Sequence, residues 1–381
     1  MALTAKIEVE NKNPVTALQG FLKKLLQDED IKALLVAQRL PMKNAVMPAL
    51  ITDPEMINQA DPLAPAFPVN AAKVVSRISR RPINGKVAVV LRPCEIRAFI
   101  ELVKLKQGSM DEIILVGLDC LGAYGNIDYP RFAGKDGIGS TLKFYENAMS
   151  GKGTAFEDFD LSPACKACEW PIPENADLLV GLLGLDADDH LFVKANSPGG
   201  EALLSKLGLP NAKEPERRKE AIEALIADRI AYRDQMFEET SEATSDLNKL
   251  TGYLANCVNC YNCRVACPVC YCKECVFVTD VFDHESTQYL RWAERKGILK
   301  MPTDTVFFHL TRLAHISLAC IGCGQCSNAC PNNIPVMEIF RTVAAGTQKA
   351  FDYEAGRSPE DEPPLSTFRE NEFLELTGGK D

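Results

Sequence analysis

Residues 257–268 read CVNCYNCRVACP, and residues 320–331 read CIGCGQCSNACP. Both stretches have the spacing Cys-x2-Cys-x2-Cys-x3-Cys-Pro, which is typical of chains that hold [4Fe–4S] clusters by cysteine thiolates. In paired runs of this kind, three neighbouring thiolates bind one cluster and the distant fourth binds the other. The spacing therefore predicts two ligand sets, one of Cys257, Cys260, Cys263 and Cys330 and one of Cys320, Cys323, Cys326 and Cys267. Such a pair of clusters predicts electron transfer.

The segment between the two runs is far longer than in a compact bacterial ferredoxin. We expect helices over 284–296 and 304–317, the second with Thr303 or Asp304 as its N-cap. Its apolar residues are predicted to share one packed face, formed by Val306, Phe307, Leu310, Leu313 and Ala314. Helices between the runs indicate an α-helical dicluster ferredoxin domain over 247–350.

The first 210 residues alternate between strand and helix signals, which predicts an α/β domain. The clearest unit is a strand over 86–91, a helix over 93–107 and a strand over 112–117. This order predicts two parallel, neighbouring strands. A helix over 15–28 and strands over 31–37 and 46–52 are also expected.

Four cysteines in this domain are predicted to meet. Cys94 and Cys120 each follow a predicted strand, and the carboxyl ends of parallel strands form the edge where ligands bind. Cys165 and Cys168 lie in a proline-rich loop that can reach that edge. The four predict a third [4Fe–4S] site. The alternative is two buried structural thiols and a surface Cys-x2-Cys, because free cysteine is often simply a small buried residue.

Two further segments differ in composition. Residues 211–246 are charged and lack glycine, and their apolar spacing predicts an amphipathic helical linker. That spacing is carried by Ile222, Leu225, Ile226, Ile230 and Met236. Residues 351–381 form an acidic tail with prolines, which we expect to become ordered only against a partner.

Composition limits the possible partners. The chain has 381 residues, 15 cysteines and a formal net charge of −10. This charge argues against nucleic acid, which requires basic surface. We find no signal peptide and no stretch of the roughly 18 apolar residues that a membrane helix needs. We therefore expect a cytoplasmic protein without a membrane span, in which cysteines indicate metal or redox chemistry rather than disulfides.

Several other residues have open roles. Cys270, Cys272 and Cys275 could hold a fourth cluster with a non-cysteine or partner-derived ligand, or pack beside the first ferredoxin cluster. His315 could tune a cluster through a hydrogen bond or be a core histidine. Trp170 and Tyr124 could stack on a cofactor or simply pack.

Six phrases together resemble the beta subunits of coenzyme F420-dependent hydrogenase and formate dehydrogenase. They are ALITDPE (49–55), RPCEIRAFIELVKLKQ (92–107), IILVGLDCLG (113–122), CKACEWPIPENAD (165–177), CVNCYNCRVACPVCYCKEC (257–275) and LAHISLACIGCGQCSNACPNNIPV (313–336). The likeness extends to about residue 353. It is similar to the long form typical of formate dehydrogenase, in which the ferredoxin part follows the flavin part.

The resemblance implies an N-terminal domain that binds FAD beside a [4Fe–4S] cluster. It assigns that cluster to Cys94, Cys120, Cys165 and Cys168, and flavin contacts to Thr16, Gly181 and Gly184. The family carries glycines before its first helix, where this chain has Asn13 and Pro14. That departure weakens the implication of coenzyme F420 more than that of FAD, because glycine there would let the backbone approach a cofactor.

The leading hypothesis is a flavin/iron–sulfur subunit that exchanges hydride between FAD and coenzyme F420. It would pass single electrons to or from the catalytic alpha subunit of a formate dehydrogenase or hydrogenase. One alternative is a pure iron–sulfur relay subunit of a heterodisulfide-reductase-like complex without F420 chemistry. Another is a scaffold with structural metal, such as zinc.

Overall fold

The computed structural model describes residues 3–41, 44–134, 136–185, 190–279, 285–296 and 304–366. Its N-terminal part is built on a seven-stranded sheet in the order β1-β7-β6-β5-β4-β2-β3. The strands are β1 (Thr4–Glu8), β2 (Ile31–Arg39), β3 (Val46–Ile51), β4 (Lys86–Leu91), β5 (Ile113–Leu118), β6 (Leu178–Gly181) and β7 (His190–Ala195). Strands β2, β4, β5 and β6 run parallel, whereas β3 and β7 pair antiparallel to their neighbours. The predicted α/β layer structure is confirmed.

Helices cover both faces of this sheet. Those of the N-terminal part are α1 (Pro14–Leu26), α2 (Ala72–Ile78), α3 (Pro93–Lys104), α4 (Asp128–Ala133), α5 (Ile138–Met149), α6 (Pro163–Lys166) and α7 (Pro198–Leu207). Alternate residues of β4 separate two cores, because successive strand side chains point to opposite faces. Ala88 and Val90 pack with α1 and α7, while Val87 and Val89 pack with α2 and α3.

The predicted strand–helix–strand unit is present as β4, α3 and β5. Its two strands are parallel neighbours, with Val87 opposite Ile113 and Leu91 opposite Gly117. Pro93 begins α3, where its missing N–H is tolerated, and Glu95 accepts the backbone N–H of Arg92 in a capping box. These local signals start the helix directly after the strand and so bring Cys94 to the carboxyl edge of the sheet.

The C-terminal part is helical. It contains α8 (Arg218–Ala243), α9 (Leu247–Tyr253), α10 (Asn262–Ala266), α11 (Ser286–Lys296), α12 (Thr305–Ile316), α13 (Gln325–Asn328) and α14 (Val336–Ala350). The predicted helix over 284–296 corresponds to α11, although residue 284 lies outside the described residues. Phe308, Ile316, Ile339 and Phe340 form the core of this part, and Cys263 packs among them.

The predicted helix over 304–317 is present as α12 (Thr305–Ile316), but of the apolar residues assigned to one face only Leu313 is buried. Phe307, Leu310 and Ala314 are exposed, and Asp304 precedes the helix without a side-chain capping hydrogen bond. The buried face instead consists of Thr305, Phe308, His309, Arg312, Leu313 and Ile316. His309 and Arg312 contact cysteine sulfurs in the interior. The side of α12 that carries these two residues is therefore the buried one.

The long helix α8 lies between the two parts. The predicted apolar positions such as Ile222 and Ile226 are only half-buried, whereas Arg218 and Arg229 are buried. Met236 packs with Ala164 of α6 and Met337 of α14. The role of residues 211–246 as a linker stays a prediction.

One ion pair attaches α8 to the sheet. Both nitrogens of the Arg218 fork donate to the carboxylate of Asp119, with Nη2 at 2.9 Å from Oδ1, and both side chains are almost completely buried. Asp119 also accepts the backbone N–H groups of Leu182 and Leu183. Removal of Arg218 would leave the Asp119 carboxylate buried with backbone N–H donors but without its cation, which is strongly destabilising.

We expect Arg218→Ala to lower the free energy of unfolding by about 3–5 kcal/mol. Lys219→Ala is the matched control on the same helix, because its exposed side chain should change stability by less than about 0.5 kcal/mol. Anaerobic equilibrium urea unfolding, followed by circular dichroism, measures both. Equal effects of the two substitutions would contradict a supporting role for the pair.

The beginning of the acidic tail is ordered against α3, contrary to our expectation. The Tyr353 hydroxyl donates to the carboxylate of Glu101 at 2.8 Å, and the backbone N–H of Gly356 donates to the same group at 2.6 Å. Arg97 donates to the Ala355 carbonyl at 2.6 Å. We call residues 353–356 the strap. The buried carboxylate of Glu101 explains why the strap is ordered, since this group needs donors.

No described helix combines the length and apolar character needed to cross a membrane.

Candidate iron–sulfur centres

The structure brings the four predicted crevice cysteines together. Cys94 lies in the first turn of α3, Cys120 follows β5, and Cys165 and Cys168 lie in and just after α6. All four line one cavity of about 450 Å³. The backbone N–H of Cys120 donates to the carbonyl of Pro171 at 2.8 Å, which fixes the proline-rich loop against the edge of the sheet. The predicted convergence is therefore present, and ligation stays a prediction.

The lining of this cavity suits thiolates bound to a metal cluster. Burial raises the pKa of the Cys94 thiol, and it raises the pKa of Cys120 to about 11. Buried thiols of this kind are poor free nucleophiles, whereas a metal holds a coordinating thiol deprotonated. Arg92 and Arg229 also line the cavity and supply positive charge beside the sulfurs. The donor set fits a [4Fe–4S] cluster.

The first ferredoxin run lies beside the last cysteine of the second run. Cys257, Cys260 and Cys263 line a cavity of about 330 Å³ together with Cys330, the last cysteine of the second run. We call these four thiols group A. Cys260 is exposed and Cys263 is buried. The convergence supports the predicted ligand set.

The second ferredoxin site has the complementary membership. Burial raises the pKa of Cys323 and of Cys326, and for both thiols the charge of Cys267 is the next contribution to that rise. Burial raises the pKa of Cys267, the charge of Arg312 opposes this rise, and the charge of Cys320 adds to it. We call Cys320, Cys323, Cys326 and Cys267 group B. Cys267 directly follows α10, which packs against α13 with its Cys326, so this placement supports crossed ligation, which stays a prediction.

Group B adjoins the crevice. Cys323 lines the crevice cavity together with Ile321 and Gly322. The three predicted cluster sites therefore form a series, in the order crevice, group B and group A.

Comparison with known proteins matches both parts. Residues 84–214 match the model for the C-terminal region of the coenzyme F420 hydrogenase/dehydrogenase beta subunit, and residues 253–334 match that of the 4Fe–4S dicluster domain. The chain is 29% identical over 366 residues to the F420-dependent formate dehydrogenase subunit beta of Methanocaldococcus jannaschii, covering 89% of this chain and 91% of the relative. This chain is similar to the beta subunits of coenzyme F420 hydrogenase/dehydrogenase.

Two further proteins are similar. The F420-dependent formate dehydrogenase 1 subunit beta of Methanococcus maripaludis is 28% identical over 317 residues, covering 74% of this chain and 76% of the relative. A chain of the solved F420-reducing [NiFe] hydrogenase complex from Methanosarcina barkeri shares 16% identity with a TM-score of 0.44, covering 65% of this chain and 94% of that chain.

The two glycines that the resemblance assigns to flavin contacts lie against Arg218. A Cβ at Gly184, whose φ is +75°, would lie 2.3 Å from the Cα of Arg218. A Cβ at Gly181 would lie 3.0 Å from Nη1 of the same arginine. Thr16 is exposed in the first turn of α1, where its N–H donates to the Asn13 side chain at 3.1 Å. Arg218 explains both glycines, and the three flavin contacts stay predictions.

A separate cleft of about 510 Å³ lies next to the crevice. It is lined mainly by apolar residues of β2, β3 and the 62–71 segment, and it shares Phe67 and Arg92 with the crevice cavity. No motif in the sequence singled out this cleft, because its walls are ordinary strand and loop residues.

The two aromatic residues have packing roles. The Tyr124 ring is fully buried and makes edge contacts with Phe132 and Phe144. The guanidinium carbon of Arg97 lies 3.5 Å from the centroid of the Trp170 ring, and that of Arg341 lies 5.0 Å away. Packing accounts for the position of Tyr124. Trp170 also lines the crevice cavity, so its stacking on a cofactor stays a prediction.

Sequence reasoning missed two polar residues of α12. His315 is exposed, whereas His309 is buried, with its Nε2 at 3.5 Å from the Cys257 sulfur. Burial lowers the pKa of His309 to about 4, so the ring is neutral at pH 7. Arg312 Nη1 donates to the Cys263 sulfur at 3.1 Å. Their i, i+3 spacing, which places both on one helix face, is the only signal the sequence offered.

The three additional cysteines remain unassigned. Cys270 and Cys275 are half-buried against the ferredoxin core, while Cys272 is exposed. The Cys272 carbonyl accepts a hydrogen bond from Arg264 at 3.4 Å. A fourth cluster on these residues stays a prediction.

Proposed function

We propose that this chain is the flavin/iron–sulfur subunit of an oxidoreductase complex. It exchanges hydride between FAD and coenzyme F420, and it passes single electrons to or from the catalytic subunit of a formate dehydrogenase or hydrogenase. The observation that carries the proposal is the cavity that Cys94, Cys120, Cys165 and Cys168 share with Cys323. This shared wall joins the α/β crevice to the dicluster domain without an intervening layer of protein.

The proposed electron route follows the three cysteine groups. Electrons enter or leave at the crevice, cross to group B through the wall at Cys323, and then reach group A. Group A is a suitable terminus, because Cys260 is exposed and can face a partner. Arg229 holds the crevice loop in place by donating to the carbonyls of Cys120 at 3.1 Å and Cys168 at 3.4 Å.

The cleft beside the crevice is the proposed flavin site. A bound flavin supplies conversion between two-electron and one-electron transfer, since it takes up a hydride and releases electrons singly. The apolar walls, such as Val90 and Leu118, exclude water from the site, which suits hydride transfer. Arg92, which donates to the Ala64 carbonyl at 2.9 Å, lies between cleft and crevice and orients their common wall.

A second candidate is a pure iron–sulfur relay subunit of a heterodisulfide-reductase-like complex. The position of Arg218 favours it, because this residue fills the space beside Gly181 and Gly184 that a cofactor would otherwise use. Asn13 and Pro14 also stand at the start of α1, where the family carries glycines. In this candidate, the clusters have the same order and no flavin is bound.

We expect the anaerobically prepared chain to bind FAD and its flavin absorbance to bleach on addition of reduced coenzyme F420. Val69→Trp, at the half-exposed mouth of the cleft, should weaken FAD binding by about tenfold, because the ring narrows a site whose affinity depends on shape. Leu50→Trp is the control, since Leu50 is exposed on β3 outside the cleft lining. Flavin release on denaturation and stopped-flow absorbance provide the measurements.

The outcomes separate the two candidates. A chain with full iron content and no FAD supports the relay subunit and refutes the flavin proposal. If FAD binds but does not bleach with reduced coenzyme F420, the flavin part of the proposal stands and coenzyme F420 is rejected as the electron partner. Equal FAD affinity in the Val69 and Leu50 variants would show that the flavin binds outside the cleft.

A further inference from the structure

Arg312 is a buried cation between the two ferredoxin cysteine groups. Only 3% of its surface is exposed. Its Nη1 donates to the sulfur of Cys263 at 3.1 Å, and its Nη2 donates to the carbonyl of the same residue at 3.2 Å. Within the described ranges, no carboxylate lies within ion-pair distance of this guanidinium. A buried charge without a partner is costly, so the counter-charge must come from the thiolates.

The charges around Arg312 belong to both groups. Cys263 of group A and Cys267 of group B are buried in the same core as Phe308 and Phe340, the two rings that Arg312 contacts. The rest of its surroundings are aromatic. Its guanidinium carbon lies 4.6 Å from the centroid of the Phe340 ring and 5.4 Å from that of Phe308. This apolar setting strengthens its interaction with the sulfurs, because little water screens it.

We propose that Arg312 is a positioning residue that raises the reduction potentials of the clusters on groups A and B together. This inference rests on the proposed electron-transfer function. Reduction adds one electron, and therefore one negative charge, to a cluster. A fixed guanidinium stabilises that charge, and an N–H donor on a ligand sulfur does the same, since cluster potentials depend on nearby charge and hydrogen bonds to sulfur.

The crevice provides an internal comparison. The arginine charges that act on Cys120 are those of Arg92 and Arg229. Arg229 donates to the carbonyls of Cys120 and Cys168 rather than to their sulfurs. Loss of Arg312 should therefore change the two ferredoxin clusters and leave the crevice cluster at its original potential.

The test is a redox titration of the full chain with dithionite and mediators, followed by electron paramagnetic resonance. For Arg312→Gln, we expect the ratio of reduced to oxidised cluster at fixed ambient potential to fall by about tenfold for groups A and B, which is about 59 mV for one electron. Arg131→Gln is the control, because it removes the same charge from an exposed site. Unchanged potentials of groups A and B in Arg312→Gln would overturn the proposal.

Arg312→Lys keeps the test informative if the glutamine variant loses iron. Lysine retains the charge but lacks the planar fork that reaches Cys263. We expect its group A potential to fall and its group B potential to stay near that of the unmodified chain. An unchanged group A potential in this variant would refute the role of the N–H···S bond. An unmodified chain that lacks two ferredoxin signals would contradict the proposed function itself, whereas intact signals with unshifted potentials contradict only the role of Arg312.

Discussion

Cys120→Ser should remove the crevice cluster and interrupt electron flow between the α/β part and the dicluster domain. We expect iron to fall from about twelve to about eight atoms per chain, because one of three four-iron clusters is lost. Flavin reduction by reduced coenzyme F420 should persist, while onward reduction of the ferredoxin clusters should slow by at least about a hundredfold, in line with the loss of a site component. Anaerobic iron analysis and rapid-mixing absorbance measure the two effects.

Cys272→Ser is the comparison for this experiment. Its thiol is exposed and lines neither the crevice cavity nor that of group A. Full iron content in Cys272→Ser together with loss in Cys120→Ser supports the crevice site. Loss of about four iron atoms from Cys272→Ser would show that the additional cysteines bind a cluster. Retention of all iron by Cys120→Ser would contradict the crevice cluster.

Crossed ligation predicts which cysteine variants share a phenotype. Cys330→Ser and Cys263→Ser should lose the same paramagnetic signal, because both thiols line the group A cavity. Cys267→Ser and Cys326→Ser should lose the other signal, since the charge of Cys267 acts directly on Cys326. Each loss should be essentially complete, because a cubane needs a ligand on each of its iron corners.

Ligation within each run predicts different pairs of variants with a shared phenotype. If each run held its own cluster, Cys330→Ser would share its phenotype with Cys326→Ser, and Cys267→Ser with Cys263→Ser. Spectra of the four variants, recorded after reduction with dithionite, decide between the two arrangements. The exposed Cys272→Ser variant again serves as the reference for a serine that removes no ligand of group A or group B.

Much of the α/β part could be predicted because its signals are local. The strand over 86–91 and the start of α3 at Pro93 lie where predicted, since a buried apolar run and a proline at the first helical position act within a few residues. The convergence of Cys94 and Cys120 followed from one topological rule, that parallel strands end at the same edge. For the loop that contains Cys165, the sequence predicted that it reaches this edge but not which residues it contacts there.

The errors came from polar residues with buried partners. An apolar-spacing argument assigns His309 and Arg312 to the solvent, but in the structure both lie against cysteine sulfurs. Arg218 likewise lies beside the backbone of Gly184, a contact that no local pattern in the sequence predicted. Charge and hydrogen-bond partners that lie far away in the chain leave no periodic signal for a sequence-based argument.

The strap has a consequence for the order in which the molecule is made. Glu101 lies in the first third of the chain, yet its hydroxyl donor, Tyr353, is 252 residues further on. During synthesis, α3 therefore leaves the ribosome with Lys104 of the same helix as the ion-pair partner of Glu101, long before the Tyr353 hydroxyl and the Gly356 N–H can reach this carboxylate. The contacts between the strap and α3 cannot form until almost the whole polypeptide has emerged, and by then all fifteen cysteines have been made. The strap therefore joins the end of the chain to α3 only when translation is nearly complete.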